Sequence, residues 1–308
     1  MPLVTSKKLL EHALANHYAV GAFNANNMEQ VQGIVEAAQE ERSPVILQVS
    51  QGAIRYAGLE FAAGLVKIAA SLVDVPVVLH LDHGTDFEQN VQCLHAGFTS
   101  LMFDGSKKSF DENVAITKKV VDICHIVGIP VEAELGKVLQ STDGVTTAQI
   151  EAAMTQPDEA AKFIELTHAD SLATALGSVH AMKTAEAVLD VERVKAIHAK
   201  IPNTPLVLHG SSGVKEDSIK EVIVYGISKV NVATWLNQGF VEAMRAAVAK
   251  MPDETDPRKL VGPGREEVKA RVREKLRVFG CAGVIDSSGG FVSAKKSFRS
   301  AHLGGTEE

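Results

Sequence analysis

Long apolar runs are missing from this chain. Its hydrophobic stretches are strand-sized, well short of the roughly twenty residues that span a bilayer, so no membrane partner is expected. Positive charge is also scarce. Against 31 Lys and Arg stand 38 Asp and Glu, a net charge of -7 with no long basic run. That balance excludes an electrostatic nucleic-acid binder and gives no attraction to an anionic membrane surface. The three cysteines, Cys93, Cys124 and Cys281, are far apart and odd in number, which argues against a disulfide framework. They read as buried or incidental thiols in a reducing compartment. The N-terminus carries no basic-then-apolar signal pattern, so a cytoplasmic location is expected. No short-period repeat is present.

What remains is a chain of 308 residues, 45% hydrophobic and 22% charged, a composition that suits one large globular core. Apolar strand runs alternate with amphipathic stretches of helical length. Strands are expected at Tyr18–Phe23, Val45–Val49, Val77–Asp82, Thr99–Phe103, Val131–Leu135, Ser171–Leu176, Leu206–Leu208 and Ile227–Val232. Helical patterns fill the gaps, one of them (Ser6 to His17) ahead of the first strand, where it would cover the bottom of the fold, and two more (Leu236 to Lys250, Arg265 to Phe279) close the chain. Eight such units point to a (β/α)8 TIM barrel, a single α/β domain over 1–283, followed by a tail at 284–308 outside the barrel. A doubly wound open sheet is the alternative. It needs a glycine-rich fingerprint after the first strand, which Gly21-Ala22-Phe23-Asn24 does not supply. Two connections, from Gly136 to about Gln156 and from Gly177 to Ala187, exceed ordinary loop lengths and are expected to serve as lids or substrate loops.

The chemistry sits where the strands stop. Val77-Val78-Leu79-His80-Leu81-Asp82-His83-Gly84 is a buried-strand pattern that breaks off into a carboxylate and an imidazole, groups that are costly to desolvate unless something binds them. His83, His180 and His209 follow the third, sixth and seventh strands, so a barrel would gather them at one mouth. Three imidazoles and an open position form a ligand set of catalytic zinc. Asp104 and Glu134 end the fourth and fifth strands, as partners of those ligands or as an alternate metal position. The competing bland readings are a helix cap for Asp82 and loop caps for the other carboxylates. His80, in mid-strand, reads as a satisfied core residue, and the other histidines as solvated. A phosphate site is the second feature. Gly210-Ser211-Ser212-Gly213 follows strand seven and Asn231-Val232-Ala233-Thr234 ends strand eight, where barrels often bind phosphate, with Gly177-Ser178 as a further contributor. Alone, such a run is more often a plain turn.

The motifs GAFN (Gly21 to Asn24), HLDHG (His80 to Gly84), MFDGS (Met102 to Ser106), EAELG (Glu132 to Gly136), GSVH (Gly177 to His180), HGSSG (His209 to Gly213) and NVAT (Asn231 to Thr234) together resemble the class II, zinc-dependent fructose-bisphosphate aldolase family. The likeness runs from residue 2 to about 283, and HGSSG and NVAT look more like its ketose- or tagatose-bisphosphate branch. The resemblance implies reversible cleavage of fructose or tagatose 1,6-bisphosphate to dihydroxyacetone phosphate and glyceraldehyde 3-phosphate, through a zinc-stabilised enediolate. It implies His83, His180 and His209 as zinc ligands and Asp104 and Glu134 as the alternate metal position. Asp82 is implied as the acid that protonates the aldehyde oxygen. Asn24 and Asn231 would contact substrate, Ser50 would lie near its reacting end, and Gly210, Ser212 and Thr234 would bind the phosphate, beside Gly177, Ser211 and Ala233 from the strand-end reading. A homodimer or homotetramer, a phosphorylated ketose partner and, besides Zn2+, a monovalent cation (Na+ or K+) belong to the same expectation.

Two positions depart from the family pattern. Thr142 stands where a loop glutamate proposed to move the proton is usual, and Asp143, beside Gly144, is the nearest carboxylate. Asp143 is therefore expected to take over the proton transfer. Ala181 replaces a glycine linked to the monovalent cation. Competing readings are a metal-dependent sugar-phosphate isomerase or epimerase on the same barrel and a non-catalytic metal-binding paralogue. A Schiff-base mechanism needs a lysine inside the barrel. Strand six, Ser171 to Leu176, has none, and Lys183 lies beyond its end.

Overall fold

Four prolines set the rhythm of the chain. Pro44, Pro76, Pro130 and Pro205 each stand immediately before a strand, where a residue with no N–H to give to a ladder is tolerated. The computed structural model describes residues 3–140, 146–180 and 187–292. It contains eight barrel strands: β1 (Val20–Asn24), β2 (Val45–Ser50), β3 (Val77–Asp82), β4 (Leu101–Phe103), β5 (Val131–Leu135), β6 (Ser171–Thr174), β7 (Leu206–Leu208) and β8 (Ile227–Val232). All pair in parallel, in the order β3-β2-β1-β8-β7-β6-β5-β4. Bonds from Leu81 N to Ser100 O (3.1 Å) and from Asp104 N to Gly84 O (2.8 Å) bring β4 back onto β3. The expected (β/α)8 barrel is the observed fold.

The helices are α1 (Ser6–Asn16), α2 (Met28–Glu40), α3 (Gln51–Ala57), α4 (Leu59–Ser71), α5 (Phe87–His95), α6 (Phe110–Ile126), α7 (Thr147–Ala153), α8 (Pro157–Thr167), α9 (Val191–Lys200), α10 (Glu216–Val224), α11 (Thr234–Lys250) and α12 (Pro257–Val278). Their starts are written in short polar caps. Asn27 caps α2, Asp86 caps α5, and Ser109 with Glu112 forms a capping box on α6. Asp86 holds the α5 cap, so that role is not open to Asp82. Helix α7 falls within the connection from Gly136 to about Gln156, expected as a loop, and two further elements differ from expectation. Residues after Ser50 turn into α3, because the Ser50 hydroxyl accepts from Ala53 N. Helix α12 starts at Pro257, eight residues ahead of the predicted Arg265, and runs through Pro263. Burial of Val268, Val272 and Leu276 against the core outweighs the lost helical bond. Among the described residues no helix is long and apolar enough to cross a membrane.

Alternate residues of a strand share a face, and in the upper barrel the inward face is polar. His80 and Asp82, Glu132 and Glu134, and Lys229 and Asn231 are such pairs, each residue at most 8% exposed. Beneath the strands α1 lies across the barrel floor, with Val4 N bonded to Val77 O and the Ser6 hydroxyl to that of Ser100. The two long connections are tied to each other: a short parallel ribbon pairs Leu139 with Val179 and Gln140 with His180. Beyond α12, residues 284–292 lie against the barrel. Ile285 N bonds to Arg42 O, Ile285 is 3% exposed, and Phe291 stacks on His12 with centroids 3.9 Å apart. The start of the predicted tail is thus packed on the barrel.

Candidate active site and cation centre

A cavity of about 490 Å3 opens at the C-terminal mouth of the barrel, the end where barrel enzymes carry their chemistry. Asn24, Ser50, Asp82, His83, Asp104 and Glu134 line one side. They come from the ends of β1 to β5, so the sheet order alone places them around one ring. Asn24 Nδ2 donates to Asp82 Oδ2 at 2.6 Å, and Gln48 Nε2 donates to Asn24 Oδ1 at 3.0 Å. The second Asp82 oxygen is buried and, among the described residues, has no hydrogen-bond donor. Burial opposes the Asp82 charge, but His83, His209, Lys229 and the Asn24 amide outweigh it and hold the carboxyl below its usual range.

His83, Glu134 and His209 converge so that one ligand atom from each lies within 4.8 Å of the others. His83 sits in the left-handed region at φ 53, a conformation uncommon outside glycine, and Gln51 Nε2 bonds to its carbonyl. Its Nδ1 meets Asp104 Oδ2 at 2.8 Å, while Asp104 Oδ1 accepts from the Ser106 hydroxyl at 2.6 Å. His209 Nε2 meets Glu132 Oε1 at 3.0 Å. A histidine that gives its far N–H to a carboxylate is the usual companion of a bound cation, and both rings are held in this way. Burial lowers the His83 imidazole, yet Asp82, Asp104 and Glu134 carry it up to about 10. Burial, helped by the Asp104 and Glu132 charges and opposed by His209 and His83, lifts Glu134 to about 7. Glu134 Oε2 is buried and, among the described residues, has no hydrogen bond; it lies 3.5 Å from His209 Nδ1 and 3.7 Å from His83 Nδ1. A knot of carboxylates that draws positive charge to one point fits a divalent cation.

The other wall is built for an anion. Gly210 takes φ 66, a left-handed turn open to glycine, and leads into the short 3-10 turn Ser211–Gly213. The Ser211 hydroxyl donates to Asn231 O, and Trp235 N donates to Ser212 Oγ at 3.3 Å. These bonds lash the loop after β7 to the start of α11. Gly210, Ser211, Ser212, Asn231, Ala233 and Thr234 all line the cavity, with the first-turn N–H groups of the 17-residue α11 behind them.

Several predicted residues stand elsewhere. Gly177, at φ 99, does not line the cavity; a Cβ there would meet Met154 Cε at 3.1 Å, so its conformation serves the turn. His180 is placed only by its backbone pairing with Gln140. Thr142, Asp143, Gly144 and Ala181 lie outside the described residues. Sequence reasoning missed Gln51, Thr85, Ser106, Lys107 and Lys137, which also face the cavity. It also missed Lys229, which stands inside the barrel 2.7 Å from Glu132 Oε2. Its signal was its spacing, two residues before Asn231 on the same strand face. Lys229 does not line the cavity.

The chain is similar to known proteins of one family. A sequence model described as "Fructose-bisphosphate aldolase class-II" matches residues 4–284. A fructose-bisphosphate aldolase of Geobacillus stearothermophilus is 44% identical over 286 residues, 92% of this chain and 99% of that one. One from Thermus caldophilus is 41% identical over 304 residues, covering 91% and 99%. Among solved structures, the YdjI aldolase from Escherichia coli K12 superposes with a TM-score of 0.79 at 37% identity, covering 91% of this chain and 98% of that one.

Proposed function

The chain belongs to the class II fructose-bisphosphate aldolase family, and from that premise we propose that it cleaves a ketose 1,6-bisphosphate reversibly to dihydroxyacetone phosphate and glyceraldehyde 3-phosphate. The observation that carries the reading is the convergence of His83, His209 and Glu134 within 4.8 Å, beside Asp82 and in the same mouth as the anion cradle. We assign His83, His209 and His180 as ligands of a catalytic Zn2+, with Glu134 and Asp104 as its neighbouring carboxylates. When bound, the cation supplies polarisation of the ketone carbonyl and stabilises negative charge that develops on its oxygen.

The protein's own groups do the rest. In the cleavage direction Asp82 takes the proton of the C4 hydroxyl as the bond between C3 and C4 breaks. The electron pair stays with the dihydroxyacetone phosphate half, and the C4 oxygen becomes the aldehyde. In the synthetic direction the same carboxyl returns that proton. A carboxyl held below its usual range rests ionised, which suits the cleavage step. Asn24 fixes its orientation. The substrate's 1-phosphate lies on Gly210, Ser211, Ser212, Ala233 and Thr234, with Asn231 and Ser50 along the carbon chain. Asp143 moves the proton at C3 of the three-carbon product.

Phe61 and Ile68 on α4 and Leu72 at its C-terminal cap are exposed and lie at helical spacing, which supports assembly as a homodimer or homotetramer; a cytoplasmic location goes with this reading. The test of function is triose phosphate release from fructose and tagatose 1,6-bisphosphate, with and without excess chelator. Release that stops with chelator and returns with Zn2+ is expected. Release that persists in chelator, with inactivation by borohydride plus substrate, sinks the metal mechanism. Isomerisation without triose release sinks the aldolase.

A further inference from the structure

Below the cavity a sealed polar chain runs from His209 down to the barrel floor. Glu132, Lys229, His80 and His209 are each at most 2% exposed. Lys229 Nζ lies 2.7 Å from Glu132 Oε2 and 3.4 Å from His80 Nε2. His80 Nδ1 lies 2.8 Å from Ser100 Oγ, which lies 2.8 Å from Ser6 Oγ on α1. The directions of these bonds follow from the groups themselves. An ammonium has only donors, so His80 Nε2 accepts from Lys229, and the His80 proton sits on Nδ1 and goes to Ser100. The Ser100 hydroxyl is then left to donate to Ser6. An ionised carboxylate only accepts, so His209 carries its proton on Nε2, toward Glu132 Oε1 at 3.0 Å. A ring protonated at Nε2 presents the Nδ1 lone pair on its other edge. That edge faces Glu134 Oε2 at 3.5 Å, on the side where His83 converges.

A buried ion pair is a poor device for stability, because the cost of desolvating both charges offsets their attraction. This one is anchored at both ends: Glu132 grips a candidate cation ligand, and Lys229 reaches through His80 and two serines to the barrel floor. We propose that Glu132 and Lys229 are positioning residues that select the His209 tautomer and aim Nδ1 at the cation. They thereby set cation affinity without touching the cation. The proposal rests on the reading of His209 as a ligand. Glutamine at position 132 keeps the size and can still bond the ring, but its amide also donates. The ring is then free to take the other tautomer, whose protonated Nδ1 cannot bind a cation.

The test measures Zn2+ and Co2+ affinity of the full-length protein by competition with a chelating indicator. The thermal midpoint of the metal-stripped protein is measured beside it. Glu132→Gln and Lys229→Met are expected to weaken binding by about ten- to a hundredfold, the range for outer partners of metal ligands. The double variant Glu132→Gln/Lys229→Met carries no buried charge at either position, so its midpoint is expected to recover toward wild type while its affinity stays low. A double variant that recovers both stability and affinity to within about threefold of wild type overturns the proposal, since the pair was then structural only. Glu132→Gln is near-isosteric and supplies the decision if Lys229→Met alone does not fold: unchanged affinity in it overturns the proposal too. His209→Ala separates the premise from the inference. If it binds the cation as tightly as wild type, His209 is not a ligand and both fall. If it loses the cation while Glu132→Gln does not, only the positioning role falls.

Discussion

Asp82 and His83 are neighbours in the chain with different proposed roles. Asp82 projects from the last residue of β3 to Asn24 across the barrel, whereas His83 has already left the strand in a left-handed conformation and turns to Asp104. Replacing each should therefore fail differently. Asp82→Ala is expected to cut turnover by roughly two to four orders of magnitude while metal content stays near wild type. His83→Ala is expected to lose metal. Metal content by elemental analysis alongside kcat checks both, and an Asp82→Ala protein with unimpaired turnover would remove Asp82 from the mechanism. His80 matches its sequence reading as a satisfied core residue. It is sealed at 1% exposure, and burial, with Lys229 adding to it against Glu132 and Asp82, pushes it down to about 3.

At the scale of elements, two features invite measurement. Helices α2 and α12 cross where Gly33 has no side chain. A Cβ there would stand 2.8 Å from Arg265 O and 3.2 Å from Val268 Cγ1. Gly33→Ala must force the helices apart, although alanine favours a helix, and is expected to cost about 1–3 kcal/mol of stability. Denaturant unfolding checks it, and an unchanged midpoint means the crossing yields without cost. The loop after β5 is the second feature. Its first residues are stitched to the loop after β6 by the ribbon of Leu139–Gln140 with Val179–His180, which couples the expected proton-transfer segment to a proposed ligand. With Thr142 too weak a base, Asp143→Asn is expected to slow solvent-deuterium exchange into dihydroxyacetone phosphate by at least about a hundredfold. Exchange at the wild-type rate would send the search to another group.

For the whole molecule, the closure of the barrel floor has its own electrostatic staple, far from the chemistry. The Asp170 carboxylate accepts from Lys7 Nζ on α1 at 2.9 Å, from His125 Nε2 on α6 at 2.7 Å and from Val131 N at the start of β5 at 2.8 Å. Burial raises this carboxyl, but those three donors together hold it below its usual value of 3.8. Because the native value lies under the unfolded one, the unfolded chain binds more protons in acid. The contribution to stability is then complete above that usual value and is lost as the pH falls through the native one. Asp170→Asn is expected to destabilise by about 1–3 kcal/mol near pH 7, with the gap from wild type narrower at a pH below the usual value of 3.8. A gap of equal size at both pH values would show that the charge is not what binds the floor together.

The alternation of strand and helix, the prolines ahead of four strands and the placing of Asp82, His83, Asp104, Glu134 and His209 at strand ends were all legible in the sequence, because these patterns repeat over a few residues. Period-two spacing even tells that Glu132 shares a face with Glu134 and Lys229 with Asn231. It does not tell which residue each meets across the barrel. That depends on register and strand tilt, which no local pattern encodes, and only the closed sheet sets Lys229 against Glu132 and Glu132 against His209. The same holds for α12, whose buried face carries the helix through Pro263, and for residues 284–292, whose polar composition reads as tail until Ile285 and Phe291 find the barrel. Local chemistry named the candidate ligands and their end of the barrel. Long-range packing chose which nitrogen of His209 faces Glu134, because a tautomer is fixed by whatever the opposite wall offers to bond.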